Sequence, residues 1–235
     1  EAVDRLREII QIAKAMNQKY HVTITNPPYM GVSNASASLA DYIKKHYSDN
    51  KIDLFSVFME KTIEMTFKGG YCSLITQQTW MFISSFIKTR KMLSGYTLAS
   101  LLHLGTRAFE EISGEVVQSV SYVIKKDRID NFKSIFIKLD EATNKEQSFF
   151  VNENFFIGKT KSFEYLPDQI YAYWLSETIK ESFVKYGNVS LLAEGKIGLQ
   201  TGDNNQFLRT WQEIDFSKFT TKGITTEKYW VPYNK

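Results

Sequence analysis

His21-Val22-Thr23-Ile24-Thr25-Asn26-Pro27-Pro28-Tyr29 is a short β-branched run that stops at a double proline. The β-branched residues predict a strand over 21–25. Proline has no N–H to give to a ladder, so the strand must end there. A residue before proline is pushed out of the helical region, and both prolines carry a fixed φ. The corner therefore presents carbonyl oxygens without competing N–H donors, and Asn26 adds a side-chain acceptor. Tyr29 supplies an aromatic face. In open α/β sheets ligands bind beyond the carboxyl ends of strands, which is where this corner lies.

Working outward, Leu6, Ile9, Ile10, Ala13 and Met16 recur at helical spacing and predict an amphipathic helix within residues 1–19. Residues 30–50 are polar and serine-rich, with a short helix expected over 39–47. Ile52, Phe55, Phe58, Met59, Ile63 and Phe67 share one face of a further helix, which Gly69-Gly70 is expected to end. Strands at 71–76 and 98–104 with a helix over 82–93 between them predict a parallel α/β sheet. After Gly114 the stretches 116–125, 132–139 and 148–151 read as successive strands, as antiparallel edge strands would. An aromatic-rich helix is expected over 169–186. Trp211, Phe216, Phe219, Tyr229, Trp230 and Tyr233 then crowd the end. A boundary is placed at 155/156, with a first domain over 1–155 and a linker plus the beginning of a second over 156–235.

The chain has 235 residues, 43% hydrophobic and 23% charged, a balance that fits a globular protein rather than a disordered one. No apolar run approaches the roughly 18 residues of a bilayer span, and the first twenty residues lack the order of a signal peptide. No membrane partner and a cytoplasmic location are therefore expected. The single Cys72, in an apolar run, reads as a small buried hydrophobe. Three scattered histidines beside one cysteine form no zinc pattern, so no metal is expected. A net charge of +3 is too small to argue for nucleic acid. Lys88, Arg90 and Lys91, and Lys125, Lys126 and Arg128, are the candidate phosphate contacts, although runs of charge are commonly solvated faces.

Chemically, the corner suits a planar amine. The amino group of adenine is a poor nucleophile because its lone pair is delocalised into the ring. Two acceptors on its two N–H groups favour a more tetrahedral nitrogen, with the largest gain at the transition state. An aromatic stacked on the ring holds the base, an interaction worth about 1–3 kcal/mol in single-strand binding proteins. The plain alternative is a proline turn whose asparagine caps its own backbone.

Asn26–Tyr29 resembles the catalytic motif of the S-adenosylmethionine-dependent amino-methyltransferases. Over most of its length the chain resembles the large adenine-specific DNA methyltransferases of bacterial restriction-modification and phage-exclusion systems, including the PglX type. The resemblance runs through Asp53-Leu54-Phe55, Gly69–Thr76, His103–Phe109 and Val116–Ser119. It continues in Gly198–Asn204 and Trp230–Lys235, which look like the opening of that family's target-recognition region. It implies a Rossmann-like sheet and methyl transfer to N6 of an adenine flipped out of double-stranded DNA. It implies further that Asn26 and the Pro27 carbonyl accept from the target amino group and that Tyr29 stacks on the base. Pro28 and Phe109 would line the base site, Phe109 as candidate cover for its other face, with a core role the alternative. Other restriction or phage-exclusion subunits are implied as partners.

One departure is His21, where the family usually has aspartate at the start of this strand. Another concerns the donor. The family's glycine-rich loop precedes the catalytic strand, yet the first glycine here is Gly31, and Gly195-Lys196-Ile197-Gly198 lacks the setting. The S-adenosylmethionine site is thus expected mostly outside this chain, which reads as a fragment inactive alone. A protein-glutamine or RNA methyltransferase, and a non-catalytic DNA-binding or specificity module, stay open as alternatives.

Overall fold

The computed structural model describes residues 2–109, 117–187, 189, 192–195 and 202–233. A six-stranded mixed sheet carries the structure, its strands ordered β1-β2-β4-β3-β5-β6 across the sheet. These are β1 (Tyr20–Thr25), β2 (Thr66–Gln77), β3 (Thr97–Gly105), β4 (Ser119–Lys125), β5 (Ser134–Lys138) and β6 (Phe155–Gly158). β1 is parallel to β2, and β3 to β5, while β4 runs antiparallel to both β2 and β3. It follows that β1, β2, β3 and β5 all point one way. The expected Rossmann-like α/β class holds, with one refinement of placement. The first antiparallel strand is inserted inside the sheet, and only β6 is an antiparallel edge.

Helices α1 (Ala2–Asn17), α2 (Ala37–His46), α3 (Leu54–Met65), α4 (Ile87–Ser94), α5 (Lys145–Phe149) and α6 (Glu177–Tyr186) complete the larger unit. α3 forms because Asp53 caps it and its apolar residues repeat on one face. Phe55, Met59 and Ile63 bury that face in the same cluster as Cys72 and Leu74 of β2. Each fully buried side chain of this size is worth about 1.5–3 kcal/mol. Trp80 fills the centre, edge-on to Tyr122 and Tyr171, its indole N–H donating to the Thr76 hydroxyl at 3.1 Å. Cys72 is buried as expected, and burial pushes its thiol up to about 11. α1 forms as expected but buries none of its side chains.

Three local expectations change. Gly69-Gly70 does not end α3, which stops at Met65. The two glycines lie inside β2, where the β1 register shifts between Tyr20 and Val22. Gly70 is needed there because a Cβ would stand 2.6 Å from the His21 carbonyl oxygen, so β1 approaches too closely for a side chain. Residues 148–151 are not a strand, because Asn144 caps α5 through the Gln147 N–H and the strand follows at β6. The aromatic stretch before Glu177 is irregular, since Tyr171, Ala172 and Tyr173 are drawn into the core.

The chain divides into two compact units at Gly187/Asn188, downstream of the 155/156 boundary placed from composition. Phe156, Phe163, Tyr171 and Tyr173 all belong to the first unit's core, which accounts for the difference. In the second unit, taken by itself, Phe219 and Trp230 form a parallel bridge, and Trp211 and Phe216 stay exposed.

Gly105 ends β3 at φ +63, and a Cβ there would sit 2.5 Å from the Asp140 Cα. Left-handed strain and overpacking act together at this point. Gly105→Ala is expected to lower unfolding free energy by roughly 2–5 kcal/mol on those two grounds. Urea unfolding with a midpoint equal to the parent's would refute this.

Candidate active site

Because β1, β2, β3 and β5 point the same way, one rim of the sheet collects their carboxyl ends together with the start of β4. Asn26–Tyr29 leaves β1 on this rim, Gln78 follows β2, Arg107–Phe109 follows β3, and Gln118 precedes β4. β1 stays paired with β2 as far as Thr25 opposite Leu74. Past that point the prolines cannot extend the ladder. Asn26 and Pro28 are exposed, Pro27 is buried, and Tyr29 is half-buried.

The Tyr29 ring is held from two sides. Its hydroxyl donates to the Ile75 carbonyl of β2 at 3.2 Å, and its edge meets Phe55 at 6.3 Å and 87°. Burial raises the pKa of this hydroxyl, the Ser119 hydroxyl beside it pulling the other way. Tyr29 is a hydroxyl donor anchored against the core, and the residue as a whole is half-buried. The main chain that follows is fastened as well: the Met30 N–H donates to Asp53 Oδ1 at 3.1 Å, and Leu54 N–H to the Met30 carbonyl at 3.0 Å.

Phe109 is half-buried in the loop after β3 and makes no ring contact with Tyr29. Three strand spacings separate β3 from β1, roughly 14 Å at the usual 4.7–4.9 Å per strand. The rim is common to both residues, but the structure does not bring them together. His21 lies at the other end of β1, exposed, with its ring 5.0 Å from that of Phe67, so its departure from aspartate is away from the corner.

Sequence reasoning missed a polar chain beside the corner. His103 is buried on β3, with Nε2 2.6 Å from Gln78 Oε1 and Nδ1 2.9 Å from the Tyr173 hydroxyl. Gln78 Nε2 in turn donates to Gln118 Oε1. One direction satisfies every member: Tyr173 O–H to Nδ1, Nε2–H to Gln78, and Gln78 to Gln118. Burial lowers the His103 pKa, with Asp140 opposing, which favours the neutral ring that this direction uses. A histidine followed by a strand-ending glycine was the available signal. Its partners lie 25 and 70 residues away, so the sequence does not reveal them.

The basic clusters fare differently. Arg90 is fully buried, its Nε donating to Asp168 O and its Nη1 to Trp80 O and Ile83 O, so it is a structural strut. Lys88 pairs with Asp49 at 2.6 Å. Lys126 donates to the Thr66 carbonyl, Lys125 lies over the Tyr71 ring, and both stand at the end of β4, on the rim opposite Asn26. Among the described residues no cluster of metal-ligating side chains is found, and no helix is long and apolar enough to cross a membrane. Gly198–Thr201, Asn234 and Lys235, assigned from the resemblance to a recognition region, lie outside the described residues.

Residues 1–109 match the family model of the Eco57I restriction-modification methylase. The adenine-specific methyltransferase PglX of Lacticaseibacillus casei (strain Zhang) is 38% identical over 245 residues, covering 98% of this chain and 20% of the relative. The adenine-specific methyltransferase BrxX of Escherichia coli O9:H4 (strain HS) is 34% identical over 240 residues, covering 100% of this chain and 20% of the relative. The chain is homologous to a segment of the PglX-type adenine-specific methyltransferases. It spans about one fifth of the length of these PglX-type relatives. Among solved structures, a type I restriction-modification assembly aligns at TM-score 0.48 and 12% identity, over 75% of this chain and 44% of that one. The nuclease-deletion mutant of the type ISP enzyme LlaGI, solved with a DNA substrate mimic, aligns at 0.46 and 15%, over 68% and 19%.

Removing only the Tyr29 hydroxyl separates anchoring from the ring itself. Tyr29→Phe is expected to cost about 0.5–1.5 kcal/mol of stability, the usual net worth of one hydrogen bond. Thermal unfolding at matched protein concentration checks this, and a variant more stable than the parent would contradict the anchor.

Proposed function

We propose that this chain is the catalytic-corner segment of an adenine-specific DNA methyltransferase acting in a restriction-modification or phage-exclusion system. The observation that carries the reading is the exposed Asn26 at the carboxyl end of β1, next to a tyrosine ring tethered to Ile75. In this reading Asn26 Oδ1 and the Pro27 carbonyl accept the two N–H groups of the adenine amino group. That draws the nitrogen toward a tetrahedral shape and frees its lone pair. Tyr29 supplies the stacking face and Pro28 the rigid neighbour that keeps the loop from folding over it, while Phe109, three strands away on the same rim and out of ring contact with Tyr29, is assigned only to the far side of the base site. The base is an adenine extruded from duplex DNA, since N6 cannot be reached in the stack.

S-adenosylmethionine, which supplies an electrophilic methyl group, is the cofactor of this reading. The residues present do not fit its adenosyl part. Gly31 lies beyond Asn26, and Gly69-Gly70 are committed to the β1–β2 crossing, so neither forms a strand–turn–helix glycine loop. We assign donor recognition, and base-sequence readout, to the remaining four fifths of the PglX-type protein. The isolated segment is accordingly expected to transfer no methyl group to adenine-containing DNA. In the functional division, residues 1–155 carry the catalytic part and 156–235 lead into target recognition.

The test is Asn26→Ala in the full-length protein, with duplex DNA, RNA and release-factor protein offered in parallel and labelled methyl incorporation measured. Loss of a pre-organised polar partner costs roughly 10²–10³ in rate in comparable sites. A fall of that size on duplex DNA, with the parent inactive on RNA and protein, is expected. Unchanged DNA methylation by the Asn26→Ala variant would sink the assignment, and a parent active only on RNA or protein would move it to the rival substrate.

A further inference from the structure

The corner is gripped from both ends, and the second grip is not part of the motif. Upstream, the β1–β2 ladder holds the chain to Thr25. Downstream, a single carboxylate oxygen, Asp53 Oδ1, accepts from the Met30 N–H and the Phe55 N–H, each at 3.1 Å. Gly31 and Asp53 form an antiparallel bridge, Leu54 N–H reaches the Met30 carbonyl at 3.0 Å, and Val32 N–H the Ile52 carbonyl at 3.1 Å. The strap that grips the loop is itself mounted firmly. The Ser56 hydroxyl shares its one proton between the carbonyls of Asn50 and Asp53, at 2.6 and 2.7 Å. The buried Asn50 accepts from Thr89 of α4 and donates to Glu60 of α3.

We propose that Asp53 is a positioning residue for methyl transfer, fixing the exit of the Asn26–Tyr29 corner so that its acceptors and ring are set before the base arrives. The inference rests on the function proposed above. Asp53 touches neither base nor donor. It acts through Met30, which directly follows Tyr29. Only four residues, two of them prolines, lie between the last ladder residue and Met30, so a displaced exit shifts Asn26 and Tyr29 together. A misplacement of about 1 Å in a reacting geometry can cost 10²-fold in rate. Helix capping alone would predict no such effect, since a cap stabilises α3 without reaching the loop.

Substitutions in the full-length protein separate the two roles. Asp53→Asn keeps an oxygen of the same reach, whereas Asp53→Ser keeps a capping oxygen for α3 but is one atom too short for Met30. Ser36→Ala removes the cap of α2 at Leu39, a cap with no bond to the loop, and serves as the stability control. Expected for Asp53→Ser is a melting temperature near the parent's, a kcat 10- to 100-fold lower and a KM for DNA within about threefold. Faster hydrogen exchange in the peptide spanning residues 26–32 should accompany it. Asp53→Asn should restore kcat to within threefold, and Ser36→Ala should leave it unchanged. The proposal is overturned if Asp53→Ser keeps full kcat, if exchange over 26–32 does not change, or if Asp53→Asn is as impaired as Asp53→Ser. Asn26→Ala in the same assay keeps the two readings apart. If Asn26→Ala stays active, the function assignment itself falls, whatever exchange over 26–32 shows.

Discussion

Two consecutive residues without an N–H decide what the chain does after Thr25. Up to that residue β1 can pair with β2; beyond it Pro27 and Pro28 give the ladder nothing, and the chain must leave the sheet. Having left, it needs new partners, and it finds them in the segment before α3 rather than in β2. The aspartate that caps α3 therefore also receives the returning main chain, and the helix and the corner become one mechanical unit. Tyr29 closes that unit from the sheet side by reaching Ile75 on β2. The exposure of Asn26 and Pro28 fits this arrangement, since both lie between two held ends of the turn.

The insertion of β4 between β2 and β3 has a second consequence for the same rim. An antiparallel strand brings its beginning to the place where its neighbours end, so Gln118 meets Gln78 across the β2–β4 edge. His103, one strand further, hands a hydrogen bond to Gln78 and takes one from Tyr173. Tyr173 belongs to the irregular aromatic stretch before α6, stacked on Phe136 with its ring plane nearly parallel. Sheet, rim and the late aromatics are thus tied by one polar chain, and burial of His103 favours the neutral imidazole within it.

The parts of this fold that were legible were those set by local chemistry. The β-branched run, the proline stop, the helical periodicity of Phe55, Met59 and Ile63, and the buried strand around Cys72 each rest on residues within one element. Gly69-Gly70 misled because glycine has two uses. It can end a helix, and it can let a neighbouring backbone approach, and only the position of His21 in space decides between them. The aromatic stretch around Tyr171 has helical spacing but spends its side chains on Trp80, Phe136 and Phe163, a tertiary demand that overrides propensity. In the sequence, Asp53 stands only within the stretch that carries the family resemblance, and its capping of α3 appears in the fold. That the same oxygen reaches Met30, 23 residues earlier, is a property of the folded chain alone.

Charge misled for a related reason. Arg90 looked like a surface cation in a basic run, yet it is buried, its Nε and Nη1 donating to three carbonyl oxygens, and Lys126 is spent on the Thr66 carbonyl. The cations of the Lys125–Arg128 run stand on the rim away from the corner. The corner itself is uncharged: an amide, carbonyls and a phenol. Such a set discriminates by hydrogen-bond direction and ring stacking rather than by Coulomb attraction. It offers no cation to a phosphate group, whereas its acceptors and ring suit a flat, neutral ring bearing two N–H donors. A net charge of only +3 is therefore compatible with the base-directed role proposed for this segment. Backbone attraction is a long-range task that other parts of a larger protein can perform. Gripping the amino group is a contact task, which the proposed reading gives to Asn26.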